Sequence, residues 1–558
     1  FEVAPVVVGR ATRRTTAHLA PRKRAMFEPP EVAAVAEVET LTVLPLLVSG
    51  SEAVPGGVVL GLRAPGAAAA LRRRVAASLG SGQFALLAGT ELLAESGNAS
   101  AEQLGLRDGD VITVVRMALQ DVHPTKFPGG DRGAFAALLG GGSVVAWGHP
   151  RGGGDSSTVK DQLRSGVATL CSTGHAFAAL KVDGSVVAWG DPRRGGDCAG
   201  VQDELTSGVR TLFSTRYAFA AVRDDGSVVA WGDPQKGGEC SGARAELAGG
   251  GGVATMASTH SAFAALMEDG SVALWGKSRE GGSRWTASGG QESETRLREQ
   301  LAGGVKSIYA CNASFAALKT DGSVVPWGAA YCPAHVLEEL AADVQEIFST
   351  DSAFAALKAG GGVVTWGPVE RGGGVALLQR GVQTIFANQA AFAAVLRDGS
   401  VVTWGDQDAG GDSSAVQAQL GPSDVGVRAI CGTDSAFALL REDGSVVAWG
   451  DRGRGGDASA VADRLAATPA HALAATGAAF AALLEDGAVV AWGFGNAGGD
   501  TAAVAERLSS GVQAVSANEY AFVALKGDGS VVTWGYANAG GDSSQVQDQF
   551  EVVTVTAS

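Results

Sequence analysis

From about residue 133 to its end, the chain repeats a pattern of three short apolar segments separated by turn residues. One copy, residues 166–205, reads GVATLCSTGHAFAALKVDGSVVAWGDPRRGGDCAGVQDEL. Short runs that are rich in apolar and small residues and end in polar or turn residues are typical of strands. The pattern therefore predicts three strands in each copy: GVATLCS, AFAAL and SVVAWG. Because these strands are apolar on both faces, other sheets must cover them on both sides.

The tryptophan of SVVAWG marks ten copies of this unit. Successive tryptophans are 38 to 52 residues apart, a period that indicates a repeat architecture. Eight copies place Asp-Gly between the second and third strands and two place Gly-Gly, which predicts a two-residue hairpin turn. The ten tryptophans are Trp147, Trp189, Trp231, Trp275, Trp327, Trp366, Trp404, Trp449, Trp492 and Trp534.

A short helix is predicted after the Gly-Gly-Asp segment that follows most of the tryptophans. In SSAVQAQL, Val416 and Leu420 are four residues apart and so lie on one face of a helix. An aspartate before each such helix would accept backbone N–H bonds as a cap. The alternative is a ring of carboxylates that binds cations, but each aspartate lacks acidic neighbours for a metal. These aspartates are Asp155, Asp197, Asp412, Asp457, Asp500 and Asp542.

The two ends of the repeat region suggest a closed ring. The first copy begins at Ala134 without a preceding first strand, whereas the chain ends on such a strand, VVTVTAS at residues 552–558. A C-terminal strand that completes the first blade would close a β-propeller and hide its edges. An open solenoid, or a seven-bladed ring with three extra repeats, remains an alternative.

The repeat DGSVVAWG, with its Gly-Gly and small-residue strand, resembles the regulator of chromosome condensation family of β-propellers over roughly residues 130–558. Its short copies are similar to those of a bacterial β-lactamase inhibitor protein in that superfamily, whose blades have three strands. The resemblance implies a mainly β fold, a propeller of about ten three-stranded blades. Family members act in nucleotide exchange on Ran, ultraviolet sensing, substrate recognition in ubiquitin ligases and enzyme inhibition, so the fold alone does not choose a function.

Residues 40–117 have the order strand, strand, helix, strand, strand, and resemble a ubiquitin-like (β-grasp) domain of the α+β class, best in FALLAGTEL and DGDVITVV. The resemblance puts Leu86, and Val115 within one residue, on the hydrophobic patch that ubiquitin receptors bind; alternatively Leu86 is a core residue. No Gly-Gly terminus follows Val115 and the segment contains no lysine. The domain would therefore act only by docking.

Composition narrows the class of partner. A net charge of −15 argues against binding to nucleic acid, which needs clustered Lys and Arg. Six cysteines without a CxxC pair favour a reducing compartment, and no apolar run reaches transmembrane length. We expect a cytoplasmic protein. Residues 3–25 are basic and contain no acid, so organelle targeting stays open, although Met26 could be the true start. Residues 1–39 are interpreted as leader and linker, and 118–132 as a second linker before the propeller at 133–558.

The sequence contains no recognisable catalytic, metal-binding or cofactor-binding motif. The irregular copies are more informative, because propeller partners bind where loops vary. The 52-residue spacing after Trp275 adds a loop with Arg279, Arg284 and Trp285, and the next copy, with Tyr331, lacks Gly-Gly-Asp. We predict that these residues bind a partner; alternatively Trp285 packs on its own blade.

These observations predict a monomeric, non-catalytic protein-interaction scaffold. The propeller would bind a protein partner, and the ubiquitin-like domain would dock on ubiquitin-pathway machinery. A direct regulator of an enzyme, acting as inhibitor or small-GTPase exchange factor, is the alternative. An enzyme that uses the central channel of the propeller is a third, weaker reading.

Overall fold

The computed structural model describes residues 119–125, 133–139, 142–283, 291–374 and 380–549, together with short strands between residues 40 and 116. Ten three-stranded antiparallel sheets occupy the described part of the repeat region, and each is called a blade. Their first, middle and third strands are, in blade 1, Leu119–Pro124, Ala134–Leu139 and Val144–Gly148; blade 2, Val167–Ser172, Ala176–Lys181 and Val186–Gly190; blade 3, Val209–Ser214, Ala218–Arg223 and Val228–Gly232; blade 4, Val253–Ser258, Ala262–Met267 and Val272–Gly276; blade 5, Val305–Ala310, Ser314–Lys319 and Val324–Gly328; blade 6, Val344–Ser349, Phe354–Lys358 and Val363–Trp366; blade 7, Val382–Ala387, Ala391–Leu396 and Val401–Gly405; blade 8, Val427–Gly432, Ala436–Arg441 and Val446–Gly450; blade 9, Ala470–Ala475, Ala479–Leu484 and Val489–Gly493; and blade 10, Val512–Ala517, Ala521–Lys526 and Val531–Gly535.

The face of each blade that carries small side chains packs against the face of the next blade that carries large side chains. In blade 2, Ala176 and Ala178 are fully buried against Phe219 and Trp231 of blade 3. Phe219 lies opposite Trp231 in the strand register, and their rings stack with centroids 5.2 Å apart. The same Phe–Trp pair stacks in all ten described blades. Alanines therefore let neighbouring sheets approach, and the aromatic pair fills the space between them.

The same packing joins blade 10 to blade 1. Phe135 and Trp147 of blade 1 share one buried cluster with Ala521 and Val531 of blade 10. The indole N–H of Trp147 donates to the Gly540 carbonyl at 3.1 Å, as that of Trp189 does to the Gly153 carbonyl of the preceding blade. The array is therefore a closed ring of ten blades, and not an open solenoid or a seven-bladed ring with extra repeats.

Blade 1 obtains its first strand from residues before it, which corrects the expectation that the C-terminal strand supplies it. Leu119–Pro124 pairs with Ala134–Leu139 with the same register shift near its start that the other first strands show. Val122 supplies the buried apolar position, and the Pro124 carbonyl accepts a bond from the Ser172 hydroxyl at 2.8 Å. This strand lies inside the segment interpreted as a linker, residues 118–132.

The hairpin turn also differs from the prediction. In blade 2, the Gly184 N–H donates to the Lys181 carbonyl and the Lys181 N–H to the Ser185 carbonyl, which encloses a three-residue loop. Gly184 has a φ of 77°, whereas Asp183 is not among the residues with positive φ. The turn is thus type I followed by a glycine bulge, since a two-residue type I′ turn would need positive φ at both positions. Asp183 accepts the Ser185 N–H at 2.9 Å and fixes the turn.

Each predicted capping aspartate accepts the N–H two residues further on, at 2.8–2.9 Å, which confirms the predicted backbone bond. The N-cap itself is the residue after the aspartate, as Ser156 is after Asp155. Most of the helices that follow are 3₁₀ rather than α. They are Ser157–Val159, Ala199–Leu205, Ser241–Ala243, Ser414–Val416, Ser459–Val461, Ala502–Val504 and Ser544–Gln549. The α-helices are Arg244–Gly249, Gln291–Gln300, Ala334–Glu339, Gln417–Leu420 and Ala462–Ala467. A further set directly after the tryptophans is Pro150–Gly152, Pro192–Arg194, Pro234–Lys236, Ser278–Glu280, Val369–Arg371, Arg452–Arg454, Gly495–Ala497 and Ala537–Ala539, with a π turn at Gln407–Gly411.

Before the ring, the described strands form a sheet of four and a separate parallel pair. Phe84–Ala88 lies between Glu91–Leu92 and Ile112–Arg116, and Thr40–Leu41 pairs with the far edge of Ile112–Arg116. The parallel pair is Leu46–Val48 with Val58–Leu60. The predicted helix lies outside the described residues, and these strands do not establish a ubiquitin-like fold.

Candidate functional site

Two kinds of loop share one end of the ring, because a blade's first and third strands run in the same direction. A rim loop joins the first and middle strands, as residues 173–175 do in blade 2. A tryptophan loop follows the third strand, as residues 191–197 do in blade 2. The Asp191 N–H donates to the His175 carbonyl at 2.9 Å and ties the two loops together. We call this end of the ring the loop face.

The Gly-Gly pair of a tryptophan loop joins each blade to the next. In nine of the ten described blades the Trp indole N–H donates to the first glycine's carbonyl of the preceding blade, at 2.9–3.2 Å. The glycine itself lies against the next Phe ring: a Cβ on Gly195 would approach Phe219 Cδ2 to 2.5 Å. The Gly-Gly pair is therefore a clasp between neighbouring blades, a role that the repeat pattern alone does not indicate.

The junction of blades 5 and 6 lacks this clasp. Blade 5 has no Gly-Gly after its tryptophan, and the indole N–H of Trp366 is buried without an acceptor among the described residues. Three large apolar side chains are exposed beside it: Tyr331 (59%), Leu337 (44%) and Val369 (63%). Tyr331 is also hydrogen-bonded to blade 6, since its backbone carbonyl accepts the Gly367 N–H at 3.2 Å. We call Tyr331, Leu337 and Val369 the junction patch.

Trp404→Phe should destabilise the ring by about 1–2 kcal/mol more than Trp366→Phe. Both tryptophans are buried and stacked on a Phe, so both variants lose similar ring area. Only Trp404→Phe leaves a buried glycine carbonyl, that of Gly372, without its donor. Urea unfolding of the two variants measures the difference, and equal losses would show that the clasp bond contributes nothing.

The residues predicted as binding sites belong to different elements of the described structure. Arg279 is exposed in the 3₁₀ helix Ser278–Glu280 of blade 4, and Tyr331 follows the third strand of blade 5. Arg284 and Trp285 lie outside the described residues. Leu86 pairs with Val114, the residue before Val115, in the sheet that precedes the ring.

A chain of backbone bonds runs around the rim loops. Gly174 donates to Arg216, and the series continues through His260, Asn312, Asp351 and Gln389 at 2.9–3.1 Å; a second run links Asp434, Gly477 and Glu519 at 2.9 Å. In these two runs, one residue of each rim loop is therefore hydrogen-bonded to the rim loop of the next blade. The bonds between first strands, such as Ser214 Oγ to the Ser172 carbonyl at 2.7 Å, place these strands next to one another.

Three rim carboxyls carry raised pKa values. Burial is the largest cause for each and raises the pKa of Asp351 and of Asp434 to about 6. Burial and the charge of Asp434 raise the pKa of Glu519 to about 7, against the attraction of Arg216. Burial therefore opposes the ionisation of these three carboxyl groups.

Glu519→Gln should stabilise the ring at about pH 8 and have a smaller effect at about pH 5. The carboxyl's pKa is higher in the folded than in the unfolded chain, so its contribution is most favourable below about 4.5 and is lost as the pH rises through about 7. Thermal unfolding of both proteins at the two pH values measures this. The same difference at both pH values would show that Glu519 ionises normally.

Within the described residues, no group of three or more His, Cys, Asp or Glu side chains is placed to hold a metal ion. No helix of this part of the chain has the length and apolarity to cross a membrane.

No protein-family model and no curated protein matches the chain. Among solved structures, the chain is similar to yeast RCC1 (Prp20) bound to Kap60, with 17% identity and a TM-score of 0.29 over 63% of this chain and 76% of that chain. It is also similar to Prp20p of Saccharomyces cerevisiae (16%, 0.28, over 79% and 88%) and to the ectodomain of the Arabidopsis thaliana receptor kinase ACR4 (16%, 0.28, over 50% and 91%). The ten three-stranded blades fit RCC1-like repeats.

Proposed function

We propose that the protein is a non-catalytic interaction scaffold whose ring binds a partner protein at the junction patch. The observation that carries the proposal is the exposure of Tyr331, Leu337 and Val369 at the one junction without a clasp. Protein interfaces are enriched in large aromatic and aliphatic side chains of this kind, set among polar residues.

The position of the patch supports this function. Of the six exposed large apolar side chains in the described residues, three belong to the patch and two to another part of the loop face. The sixth, Val182, is on a hairpin at the opposite end of the ring. Apolar exposure is thus concentrated where the repeat departs from its regular form. Closure of the ring alone does not require exposed apolar side chains at this position.

The test compares partner capture by the intact chain, by Tyr331→Asp/Val369→Asp and by the control Val182→Asp, using cross-linking and mass spectrometry. All three positions are exposed, so the variants should remain folded. We expect a set of partners that is lost with the patch variant and retained with Val182→Asp. The same set in all three samples would refute the junction patch as the binding site.

We further propose that residues 40–117 dock on ubiquitin-pathway machinery. The support is the resemblance of FALLAGTEL and DGDVITVV to ubiquitin-like domains and the position of Leu86 within it. Leu86→Asp should remove proteasome or ligase components from the captured set and leave the partners of the junction patch unchanged. Identical sets with and without Leu86→Asp would refute this docking.

A further inference from the structure

The rim loop of blade 9 has a glycine between two acidic rim residues. Gly477 stands between Asp434 of blade 8 and Glu519 of blade 10, and is joined to both by backbone bonds of 2.9 Å. A Cβ at Gly477 would lie 3.0 Å from Oδ2 of Asp434. The Asp434 carboxylate therefore lies against the glycine, and any larger side chain at position 477 would displace this carboxylate.

These carboxylates are only partly neutralised by the chain. Asp434 accepts a bond from Gln389 Nε2 at 2.5 Å, and the Arg454 guanidinium is 3.8 Å from its other oxygen. Oε2 of Glu519 is buried and has no hydrogen-bond partner among the described residues. Arg216 is the cation whose charge acts on Glu519. One guanidinium thus acts on each carboxylate, and Oε2 of Glu519 remains an acceptor without a partner among the described residues.

Aromatic side chains are carried by the neighbouring loops of blades 9 and 10. Tyr520 and Tyr536 of blade 10 have ring centroids 6.5 Å apart. Phe494 of blade 9 is 53% exposed and Tyr536 36%. Phe494 and Tyr536 take the first position of their tryptophan loops, where blades 2, 3, 7 and 8 have a capping aspartate. They therefore give up a local hydrogen bond and present rings on the loop face.

Blade 3 shows which cations contact the equivalent tyrosine when the chain itself supplies them. Tyr217 is the counterpart of Tyr520, since each follows the rim residue of its blade. Lys236 Nζ lies 3.8 Å from the Tyr217 ring centroid, and the guanidinium carbons of Arg194 and Arg216 lie 5.2 and 5.9 Å from it. Lys236 comes from the tryptophan loop of blade 3, and Arg194 from that of blade 2.

Blade 10 has the ring without cations from the tryptophan loops beside it; the charge of Arg216 acts on Tyr520, against those of Glu519 and Asp434. The tryptophan loops of blades 9 and 10, residues 494–500 and 536–542, contain no Lys or Arg, and their only charged residues are Asp500 and Asp542. The rim residue before Tyr520 is Glu519, where blade 3 has Arg216. The tyrosine is therefore set among acids, in an environment that favours a cation from another chain.

We propose that this aromatic–acid surface, made of Asp434, Gly477, Glu519, Tyr520, Tyr536 and Phe494, binds a lysine- or arginine-bearing segment of a partner protein. The cation lies beside the Glu519 carboxylate, and its aliphatic stem packs on Tyr520 and Tyr536. The site is independent of the junction patch, so either surface can fail its test without the other.

Binding is measured by calorimetry on the full chain with a short acetylated, amidated peptide in which lysines alternate with glycines. Glu519→Gln should weaken binding about tenfold, and the double variant Asp434→Asn/Glu519→Gln more strongly. Glu442→Gln/Glu485→Gln, at exposed hairpins on the opposite end of the ring, removes the same charge as the double variant and should leave the affinity nearly unchanged. Tyr520→Leu removes the ring, together with the hydroxyl that bonds the Glu519 side chain, without changing the charge, and should also weaken binding.

Three results would overturn the proposal. The first is an equal loss of affinity in Glu442→Gln/Glu485→Gln, which would indicate attraction by net charge alone. The second is unchanged binding of the same peptide with its lysines acetylated, which would show that no cation is recognised. The third is binding only after deletion of residues 1–25, because the occupant would then be the chain's own basic stretch rather than a partner.

Discussion

Gly195→Ala should destabilise the ring by about 3 kcal/mol. Gly195 has a φ of 98°, a conformation that disfavours any side chain by about 1–2 kcal/mol. Its added methyl group would meet Phe219 at 2.5 Å, and overpacking of a buried site adds about 1–3 kcal/mol. Phe219 is fully buried and stacked on Trp231, so it has no room to retreat. The midpoint of urea unfolding measures the loss.

Gly200→Ala is the matched control for this prediction. Gly200 is in the neighbouring 3₁₀ helix, and a Cβ there would have no atom within 4 Å. We expect a change within about 0.5 kcal/mol, as at an ordinary surface position. Similar effects of the two substitutions would mean that the Gly-Gly pair is only a turn and does not clasp the next blade.

Val122→Asp should destabilise the ring by about 3–5 kcal/mol, because it puts an unpaired charge at a buried site. Val122 is 7% exposed, in the first strand of blade 1, and belongs to the cluster that joins blade 1 to blade 10. The substitution therefore acts both on one blade and on closure of the ring. Thermal and urea unfolding measure the effect.

The same substitution in the C-terminal segment distinguishes the two candidate first strands. Val555→Asp changes the residue that matches Val122 in the repeat pattern, but the place of that strand is already occupied by Leu119–Pro124. We expect Val555→Asp to leave stability nearly unchanged. A large loss with Val555→Asp and none with Val122→Asp would restore the C-terminal strand as the one that completes blade 1.

The local structure of a blade follows from its sequence, but ring closure does not. The segments AFAAL and SVVAWG predict paired strands, and the register of Phe177 opposite Trp189 confirms them. The closing strand was assigned wrongly because VVTVTAS matches the repeat better than LQDVHP does. Pro124 argues against a strand, because proline has no N–H to donate. Only its carbonyl is needed at this position, however, and that carbonyl accepts a hydrogen bond from the Ser172 hydroxyl. Which segment becomes the first strand of blade 1 is decided by contacts between residues that are far apart in the sequence.

The candidate surfaces could be predicted only in part. Tyr331 was identified because its copy lacks Gly-Gly-Asp. Phe494 and Tyr536 were missed, although an aromatic residue after Trp-Gly, where four copies have aspartate, was a readable signal. The relation of Asp434 to Glu519 could not be predicted, because these residues meet only when the ring brings their rim loops together.

Disulfide trapping tests closure of the ten-bladed ring most directly. A Cβ at Gly133 would lie 2.9 Å from Cβ of Ala539, so a small shift gives the roughly 3.5–4.5 Å that a disulfide needs. Gly133→Cys/Ala539→Cys should form an intrachain bond on mild oxidation, identified as a joined peptide by mass spectrometry. Gly133→Cys/Ala409→Cys, with the partner at the equivalent position of blade 7, should not. A bond to residue 409 and none to residue 539 would contradict the ten-bladed ring and establish a seven-bladed one.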